Sequence, residues 1–560
     1  MPSDGIPTIL GALVTLFVAG GAAVFFAYQQ CSNRYGSVAA SRLARSPRTL
    51  ILLSGLALLP IDAVHRWEPT DPHATVAASY YPELVVALSV GLWVVLLVAL
   101  LRQLRPRAVA KGLARRLTKR RLGLWADHLA WSRSHPKALM DDLDALTWRE
   151  PITVILMPPS VDGGADNPEG SSGGQRQDSG RTRRLLERRV APGLRKARLR
   201  ARYLVSGWAD DPLAGFAETT QVALERGDQR LWDQCFHAAR RRLDSPTLLS
   251  ERSVNVLLGS LRILEARARP TPLANRVVEI AETLAVIARR APLPEHDEEP
   301  VSLELAELGA RSRDAPEIAV AVAGLLADLG HEPDRSRAAT RSLAALGERV
   351  VGWPSPGLQI IGHQPEPFLG VVYALSDLWE QAAKESDYVL GDGTQTAFGI
   401  ISVHLPAELG KRELEIYLYW YARVGRESAQ AGWSTYAFGV ANDLGVCLTK
   451  LIADAGRDPN ERRALETQIV QGVLRIGASS LSQSTTAGSG IIDAEETAEV
   501  CLRILTEADV GVLEAAAREV YITRTSEPGS KAREFIGALQ ERMGHTLGFT
   551  RYLNEADDET

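Results

Sequence analysis

The sequence predicts a mostly α-helical protein, with a transmembrane region of three helices followed by a cytoplasmic, repeat-like helical array (a solenoid). Three observations lead to this prediction. The first 101 residues contain three apolar runs. From about residue 203 onward, apolar residues recur at helical spacing. Between these parts lies a stretch rich in Gly, Ser, Pro and Asp. At 560 residues the chain is also too long for a single hydrophobic core.

Charge is distributed unevenly along the chain. Residues 1–136 carry 15 Lys and Arg against 6 Asp and Glu, whereas the remainder carries 48 against 62, which together give the net charge of -5. An acidic distal part argues against nucleic acid as its partner. The four cysteines are far apart and form no CxxC motif, which excludes a disulfide framework or a zinc ribbon and suits a reducing cytosol.

The first apolar run, residues 6–28, contains no charged residue. Its length matches the roughly 30 Å hydrocarbon core of a bilayer. A secretory signal needs a basic start, but only Asp4 is charged before this run. We therefore expect a retained transmembrane helix. The following segment has Arg residues and no acid up to the next run, which predicts a cytoplasmic loop.

The second run, residues 49–64, is shorter and contains Pro60 and Asp62, so it predicts either a short span or a re-entrant segment. The loop after it has one Arg, three acids and several aromatic residues, which is typical of an external loop. An ionisable group inside a span is by default a functional candidate. For Asp62 the alternative is hydration near the outer interface, beside His65 or Arg66.

The third run, residues 82–101, leads directly into residues 102–121, which contain nine Lys and Arg and no acid. Such a basic block marks the cytoplasmic end of a span. The loop charges thus predict three spans, with the N-terminus outside and a large C-terminal part inside the cell. Lys supplies only 8 of the 63 basic residues and Ala is plentiful, which we interpret as a bacterial bias, so the expected location is the inner (plasma) membrane.

Residues 102–157 form a basic juxtamembrane segment. Val109, Leu113 and Leu117 recur every four residues, which predicts an amphipathic helix that lies on the inner leaflet or, alternatively, a solvated stalk. The lipid-facing candidates are Lys111, Arg115, Arg116, Lys119, Arg120 and Arg121. Residues 152–157 at the end of this segment are an isolated strand candidate.

Residues 158–182 have almost no large apolar side chain and predict a disordered linker. Ten basic residues follow within 181–202, a second block that could contact lipid or dock on the acidic distal part. We expect a cytoplasmic helical domain over 183–550 and an acidic tail over 551–560.

Proline residues mark candidate helix starts in the distal part. They are Pro212, Pro246, Pro270, Pro316, Pro333, Pro406 and Pro459. The 34 residues from Pro212 to Pro246 match a tetratricopeptide-type hairpin, but later starts do not keep this period, so no repeat family is assigned. Gly330 is expected to cap a helix, Asp392-Gly393 to form a turn, and Asp493 with Glu496 to form a capping box.

Aromatic residues are dense between 417 and 438. They could line a groove for a peptide or a ring-bearing ligand, although Leu414, Tyr417 and Tyr421 also share one helix face, as core residues do. The partner-binding candidates are Tyr417, Trp420, Tyr421, Trp433 and Tyr436.

No motif in the sequence identifies a catalytic, metal or cofactor site. Histidines are scattered without HxxxH spacing, and no glycine-rich loop has the residues of a P-loop or a dinucleotide fingerprint. The leading hypothesis is a membrane-anchored cytoplasmic scaffold, adaptor or sensor that binds a protein or peptide. The alternatives are a membrane-embedded enzyme or transport accessory subunit that uses Asp62 and the external loop, and a regulator that senses anionic lipids.

Overall fold

The computed structural model describes residues 5–44, 46–66, 77–118, 121–123, 125–126, 212–245, 249–292, 300–351, 353, 366–403, 409–454, 456–483, 492–521, 530–544 and 547–548. Within these residues the secondary structure is helical and contains no strand, which confirms the mostly α prediction. The strand candidate at 152–157, the linker at 158–182, the basic block at 181–202 and the tail at 551–560 lie outside the described residues.

The chain divides into two compact units, Met1–Pro292 and Leu293–Thr560. This boundary lies inside the range 183–550, which the sequence suggests is one domain. Unit 1 therefore contains both the N-terminal apolar helices and the first helices of the distal part.

In unit 1, residues 121–123 and 125–126 are helical, and the described residues also include nine α-helices and one 3₁₀-helix with defined bounds. They are α1 (Gly5–Tyr35), α2 (Ser37–Ala44), α3 (Pro47–Arg66), α4 (Ala77–Gln103), α5 (Pro106–Ala114), α6 (Ala214–Arg226), α7 (Gln229–Leu243), α8 (Glu251–Ala268), the 3₁₀-helix (Ala274–Val277) and α9 (Val278–Arg290). The apolar spacing from Val254 to Leu264 is confirmed, because these side chains are buried on α8.

Helices α1, α3 and α4 pack against one another and form an apolar bundle. Ala27, Leu56 and Leu96 are among the residues buried in its centre. Gly20 permits close packing, because a Cβ atom there would lie 3.2 Å from Leu56 Cδ1. Two segments, Leu10–Tyr35 and Leu84–Gln103, are long and apolar enough to span a membrane, and Pro47–Leu59 is a shorter apolar helix.

Unit 2 contains eleven helices among its described residues. They are α10 (Pro300–Ala310), α11 (Pro316–Gly330), α12 (Ser336–Val350), α13 (Pro367–Glu385), α14 (Tyr388–Ser402), α15 (Lys411–Gln430), α16 (Ser434–Ala453), α17 (Pro459–Gln483), α18 (Ala494–Thr506), α19 (Val510–Tyr521) and α20 (Ser530–Met543).

The helices of unit 2 are arranged in two layers. Most of them pack against the next helix and against the next but one, so alternate helices lie side by side, as in arrays of helical hairpins. Helices α11, α13, α15, α17 and α19 begin at residues 316, 367, 411, 459 and 510, so successive starts are 44 to 51 residues apart. The 34-residue spacing seen in the sequence is not the spacing of this array.

Several predicted helix ends are confirmed and others are wrong. Helices α11 and α17 begin at Pro316 and Pro459 as predicted, and Asp493 forms a capping box with Glu496 at the start of α18. Pro270 and Pro333 do not begin α-helices, because α8 ends at Ala268 before a turn and α12 starts only at Ser336.

Two glycines, one predicted to cap a helix and the other to form a turn, permit close helix packing. Asp392-Gly393 lies inside α14, where a Cβ atom on Gly393 would lie 2.5 Å from Thr340 Oγ1 of α12. Gly330 is the last residue of α11 and His331 occupies the cap position. A Cβ atom on Gly330 would lie 2.7 Å from Leu378 Cδ2, so glycine lets α13 approach α11 closely.

Replacement of Gly425 by alanine should destabilise unit 2. A Cβ atom there would lie 2.5 Å from Ile476 Cδ1 and 2.8 Å from Val440 Cγ1. Overpacking of this kind costs about 1–3 kcal/mol, more than the roughly 1 kcal/mol that alanine gains from its helix propensity. We expect a lower midpoint of thermal unfolding for Gly425→Ala, measured by circular dichroism on the full chain in detergent.

The matched control is Gly324→Ala in α11. Apart from the backbone of its own helix, no atom lies within 4 Å of the added Cβ atom, so only helix propensity changes and the midpoint should stay or rise. Equal midpoints for the two variants would contradict the packing argument.

Candidate functional site

Helix α15 places two of the candidate tyrosines in the core of unit 2. Tyr417 and Tyr421 are fully buried, and the Tyr417 hydroxyl donates a hydrogen bond to the Phe398 carbonyl oxygen at 2.7 Å. The rings of Phe398 and Tyr421 stack with centroids 5.4 Å apart. A partner therefore does not reach these two side chains on the folded surface.

The Tyr421 hydroxyl donates a short hydrogen bond to Asp443 Oδ2 of α16. Gly399 makes room for this pair, since a Cβ atom there would lie 2.8 Å from the same carboxylate oxygen. Burial raises the pKa of Asp443, while the hydrogen bond from Tyr421 opposes the rise. Burial and the nearby Asp443 charge also raise the pKa of Tyr421. The pair is a partly buried polar contact, and its geometry is fixed by α14, α15 and α16.

Two of the remaining candidates, Trp433 and Tyr436, belong to an aromatic cluster that reaches the surface. Trp433 lies at its centre, with ring centroids 5.7 Å from Trp379, 4.7 Å from Tyr388 and 5.9 Å from Tyr436. Trp433 is only 6% exposed, but Tyr388 is 53% exposed. The Tyr436 hydroxyl donates to the Tyr388 carbonyl oxygen at 3.2 Å. We name Tyr388, Trp433 and Tyr436 the aromatic edge.

An ion-pair network lies next to the aromatic edge. Trp379 Nε1 donates to Glu427 Oε2 at 3.0 Å, and Arg423 Nε donates to Glu427 Oε1 at 2.7 Å. Arg423 also pairs with Glu380 at 2.9 Å, and its guanidinium carbon lies 4.8 Å from the centre of the Trp420 ring. These contacts hold Trp420 and Arg423 in fixed positions.

Helix α5 carries part of the predicted basic face. Its apolar residues Ala110, Leu113 and Ala114 are buried, and the helix packs against α6 and α7. Helices α6 and α7 therefore cover the apolar side of α5, which the sequence predicts to face the bilayer. Lys111, Arg115 and Arg121 are exposed, Arg116 is half-buried, and Lys119 and Arg120 lie outside the described residues.

Glu218 of α6 forms a junction with the short helix α2. Its carboxylate accepts hydrogen bonds from the Ser37 backbone N–H at 2.6 Å, the Ser37 hydroxyl at 2.8 Å and the Val38 backbone N–H at 2.8 Å. These are the first amides of α2, which have no partner within the helix. A carboxylate at this end also complements the helix dipole.

Two further contacts complete the junction. The Tyr35 hydroxyl donates to the Leu104 carbonyl oxygen just after α4, at 2.6 Å, and the Thr219 hydroxyl donates to the Tyr35 carbonyl oxygen at 2.7 Å. Between α1 and α2 the chain turns at Gly36, whose φ of +96° favours glycine. Sequence reasoning missed this junction, because Glu218 lies 180 residues from its partners and no local motif marks it.

Neither a metal site nor a reactive cysteine is found among the described residues. Asp62 lies in α3, and its side chain is outside the described residues. No group of three metal-ligating side chains occurs among the described residues. All four cysteines are buried, and burial raises the pKa of Cys235 and of Cys447 to about 12, so these thiols are poor nucleophiles.

Comparisons with protein-family models, curated proteins and solved structures give no match to this chain.

The Asp443→Asn variant should change how stability depends on pH. Because the pKa of Asp443 is raised in the folded chain, the folded state binds this proton more tightly, and stability falls as pH rises through the folded pKa. An amide does not titrate, yet its oxygen still accepts from Tyr421. We measure the difference in unfolding midpoint between Asp443→Asn and the unchanged chain. This difference should shift in favour of the variant as pH rises from below about 4 to neutral.

Asp392→Asn provides the control for this titration, because Asp392 is an exposed carboxylate on the adjacent helix α14. If the unfolding midpoint of this control shifts with pH by the same amount, general surface charge, and not the pair of Tyr421 and Asp443, produces the effect.

Loss of the Glu218 carboxylate should loosen the start of α2. Glu218→Ala removes the acceptor for two backbone amides, at a cost of about 1 kcal/mol for such charged hydrogen bonds on an exposed surface. We expect amide hydrogen exchange at Ser37 and Val38 to accelerate about fivefold or more.

Glu225→Ala on the same helix removes the same charge, and the Glu225 carboxylate accepts a hydrogen bond from the Gln221 side chain, four residues earlier on that helix. Exchange at α2 should not change in this control. Unchanged exchange in Glu218→Ala would show that α2 does not depend on the junction.

Proposed function

We propose that this chain is a membrane-anchored cytoplasmic scaffold or sensor whose helical array binds a protein or peptide partner. The observation that carries the proposal is the apolar exterior of the bundle formed by α1, α3 and α4. Water-facing surfaces of soluble proteins do not expose this many large apolar side chains together. Those exposed on the bundle include Val18, Phe25, Phe26, Ile51, Leu58, Leu84, Leu88, Val95 and Leu101.

In this proposal α1, α3 and α4 span the bacterial inner membrane, with the N-terminus outside. Helix α3 has the shorter apolar segment, Pro47–Leu59. It fits a three-span arrangement because it packs against both longer helices. The charge of the intervening segments supports the same orientation, since Arg34, Arg48 and Arg102 flank the ends that would lie inside the cell.

The aromatic edge is the proposed partner-binding surface. Tyrosine offers a large rigid contact area with a polar tip and loses little conformational entropy on binding. The exposed Tyr388 ring packs on Trp433, and Trp433 packs in turn on the buried Trp379. These contacts fix the rings of the aromatic edge before a partner binds. Val389 is also exposed and extends the apolar area beside Tyr388.

Tyr388→Ala should abolish retention of a stoichiometric partner. Truncation of an aromatic anchor at an interface costs about 2 kcal/mol or more, which weakens binding roughly 30-fold. We expect the loss in affinity capture of the full tagged chain from membranes, measured by quantitative mass spectrometry, while the helical content by circular dichroism stays that of the folded chain.

The matched control is Tyr373→Ala on α13, a tyrosine that is 44% exposed and makes no ring contact with the aromatic edge among the described residues. This variant should retain the partner. Capture of no stoichiometric partner in any growth state, or equal capture by both variants, would refute the proposed role of the aromatic edge.

A further inference from the structure

Three basic residues form a stripe along the exposed side of α5. Arg107, Lys111 and Arg115 recur every four residues, so they lie on one side of the helix and its C-terminal cap. Each is exposed. We name them the basic stripe.

The basic stripe has no acidic counterpart in the described part of the chain. None of its three side chains makes an ion pair or a hydrogen bond with a described residue. Other arginines of unit 1 are neutralised, for example Arg240 by Glu279 at 2.6 Å and Arg290 by Asp244 at 2.9 Å. The stripe therefore leaves positive charge available to an external anion.

The stripe continues the surface of α4. Leu101 is 57% exposed near the end of that helix, and Arg102 and Arg105 follow, both exposed. Helix α5 starts at Pro106, three residues after α4 ends at Gln103. The exterior thus changes from apolar to basic over a few residues, as it does where a span leaves the hydrocarbon for the headgroup layer.

The opposite side of α5 is already occupied. Leu113 packs so close to α6 that a Cβ atom on Gly215 would lie 2.6 Å from Leu113 Cδ2 and 2.9 Å from Val38 Cγ1 of α2. Protein contacts on this side fix the rotation of α5 about its axis. The cations therefore point away from the protein in a defined arrangement.

We propose that the basic stripe binds the phosphate groups of anionic lipids in the cytoplasmic leaflet. This inference rests on the proposed membrane anchoring. It differs from the set suggested by the sequence, because Arg107 joins Lys111 and Arg115, whereas Arg116 is half-buried and makes other interactions. Helix α5 then connects the leaflet on one side with α6 and α7 on the other.

The test uses the full chain in neutral detergent, titrated with phosphatidylglycerol or phosphatidylcholine, with bound lipid counted by native mass spectrometry. Each cation near an anionic surface contributes about fivefold in affinity, the equivalent of about 1 kcal/mol. We expect the triple variant Arg107→Gln, Lys111→Gln, Arg115→Gln to bind phosphatidylglycerol about 100-fold more weakly. Its binding of phosphatidylcholine should not change.

A triple variant of α7 is the matched control. Arg230→Gln, Arg241→Gln and Arg242→Gln remove the same charge from three exposed residues of a helix that packs against α5. The preference for phosphatidylglycerol should persist in this control. Equal loss in both triple variants would mean that only net charge matters and would overturn the stripe as a site.

Two further arms separate the remaining outcomes. Inorganic phosphate at the same concentration should not displace the lipid, and displacement would assign the stripe to free phosphate.

An alkaline carbonate wash of membranes tests anchoring by itself. Release of the chain by that wash would overturn the proposed membrane anchoring. Retention of the chain, with undiminished phosphatidylglycerol binding by the α5 variant, would overturn the stripe alone.

Discussion

The turn between α1 and α2 creates backbone polar groups that need partners, and the arrangement of unit 1 depends on how they are satisfied. Ending a long helix and starting another leaves carbonyl oxygens and amides unpaired. Here Thr219 donates to the Tyr35 carbonyl oxygen, and Glu218 accepts from the amides of Ser37 and Val38. Two adjacent residues of α6 thus satisfy both sides of one turn, which fixes α6 against the end of α1.

Close helix contact is the corresponding constraint in unit 2. Gly330, Gly393 and Gly425 each lie where a Cβ atom would come within 2.7 Å of a neighbouring helix. Glycine costs roughly 1 kcal/mol relative to alanine inside a helix, and close packing between layers offsets this cost. The same close packing holds Tyr421 and Asp443 together across Gly399.

Helical character could be predicted from the sequence because it follows from spacing within a few residues. The apolar face of α8 and the capping box at Asp493 are examples. The sequence predicts a turn at Asp392-Gly393, which is wrong, because a glycine that permits close helix contact cannot be distinguished by sequence from one that permits a turn. The role of Glu218 depends on residues 180 positions away, so no local pattern indicates it. Likewise, the sequence groups Tyr417 with Tyr436. Only tertiary packing shows that the Tyr417 ring is buried whereas Tyr436 is half-buried at the surface.

The similar spacing of helix starts in unit 2 keeps contacting residues at similar separations along the chain. Hydrogen bonds between alternate helices join residues a similar distance apart, such as Arg349 to Glu307, 42 residues apart, and Gln468 to Glu415, 53 residues apart. Each helical pair is thus held mainly by its immediate neighbours, and distant segments need not meet during folding. A substitution in one helical pair should therefore alter contacts mainly with the pairs next to it along the chain.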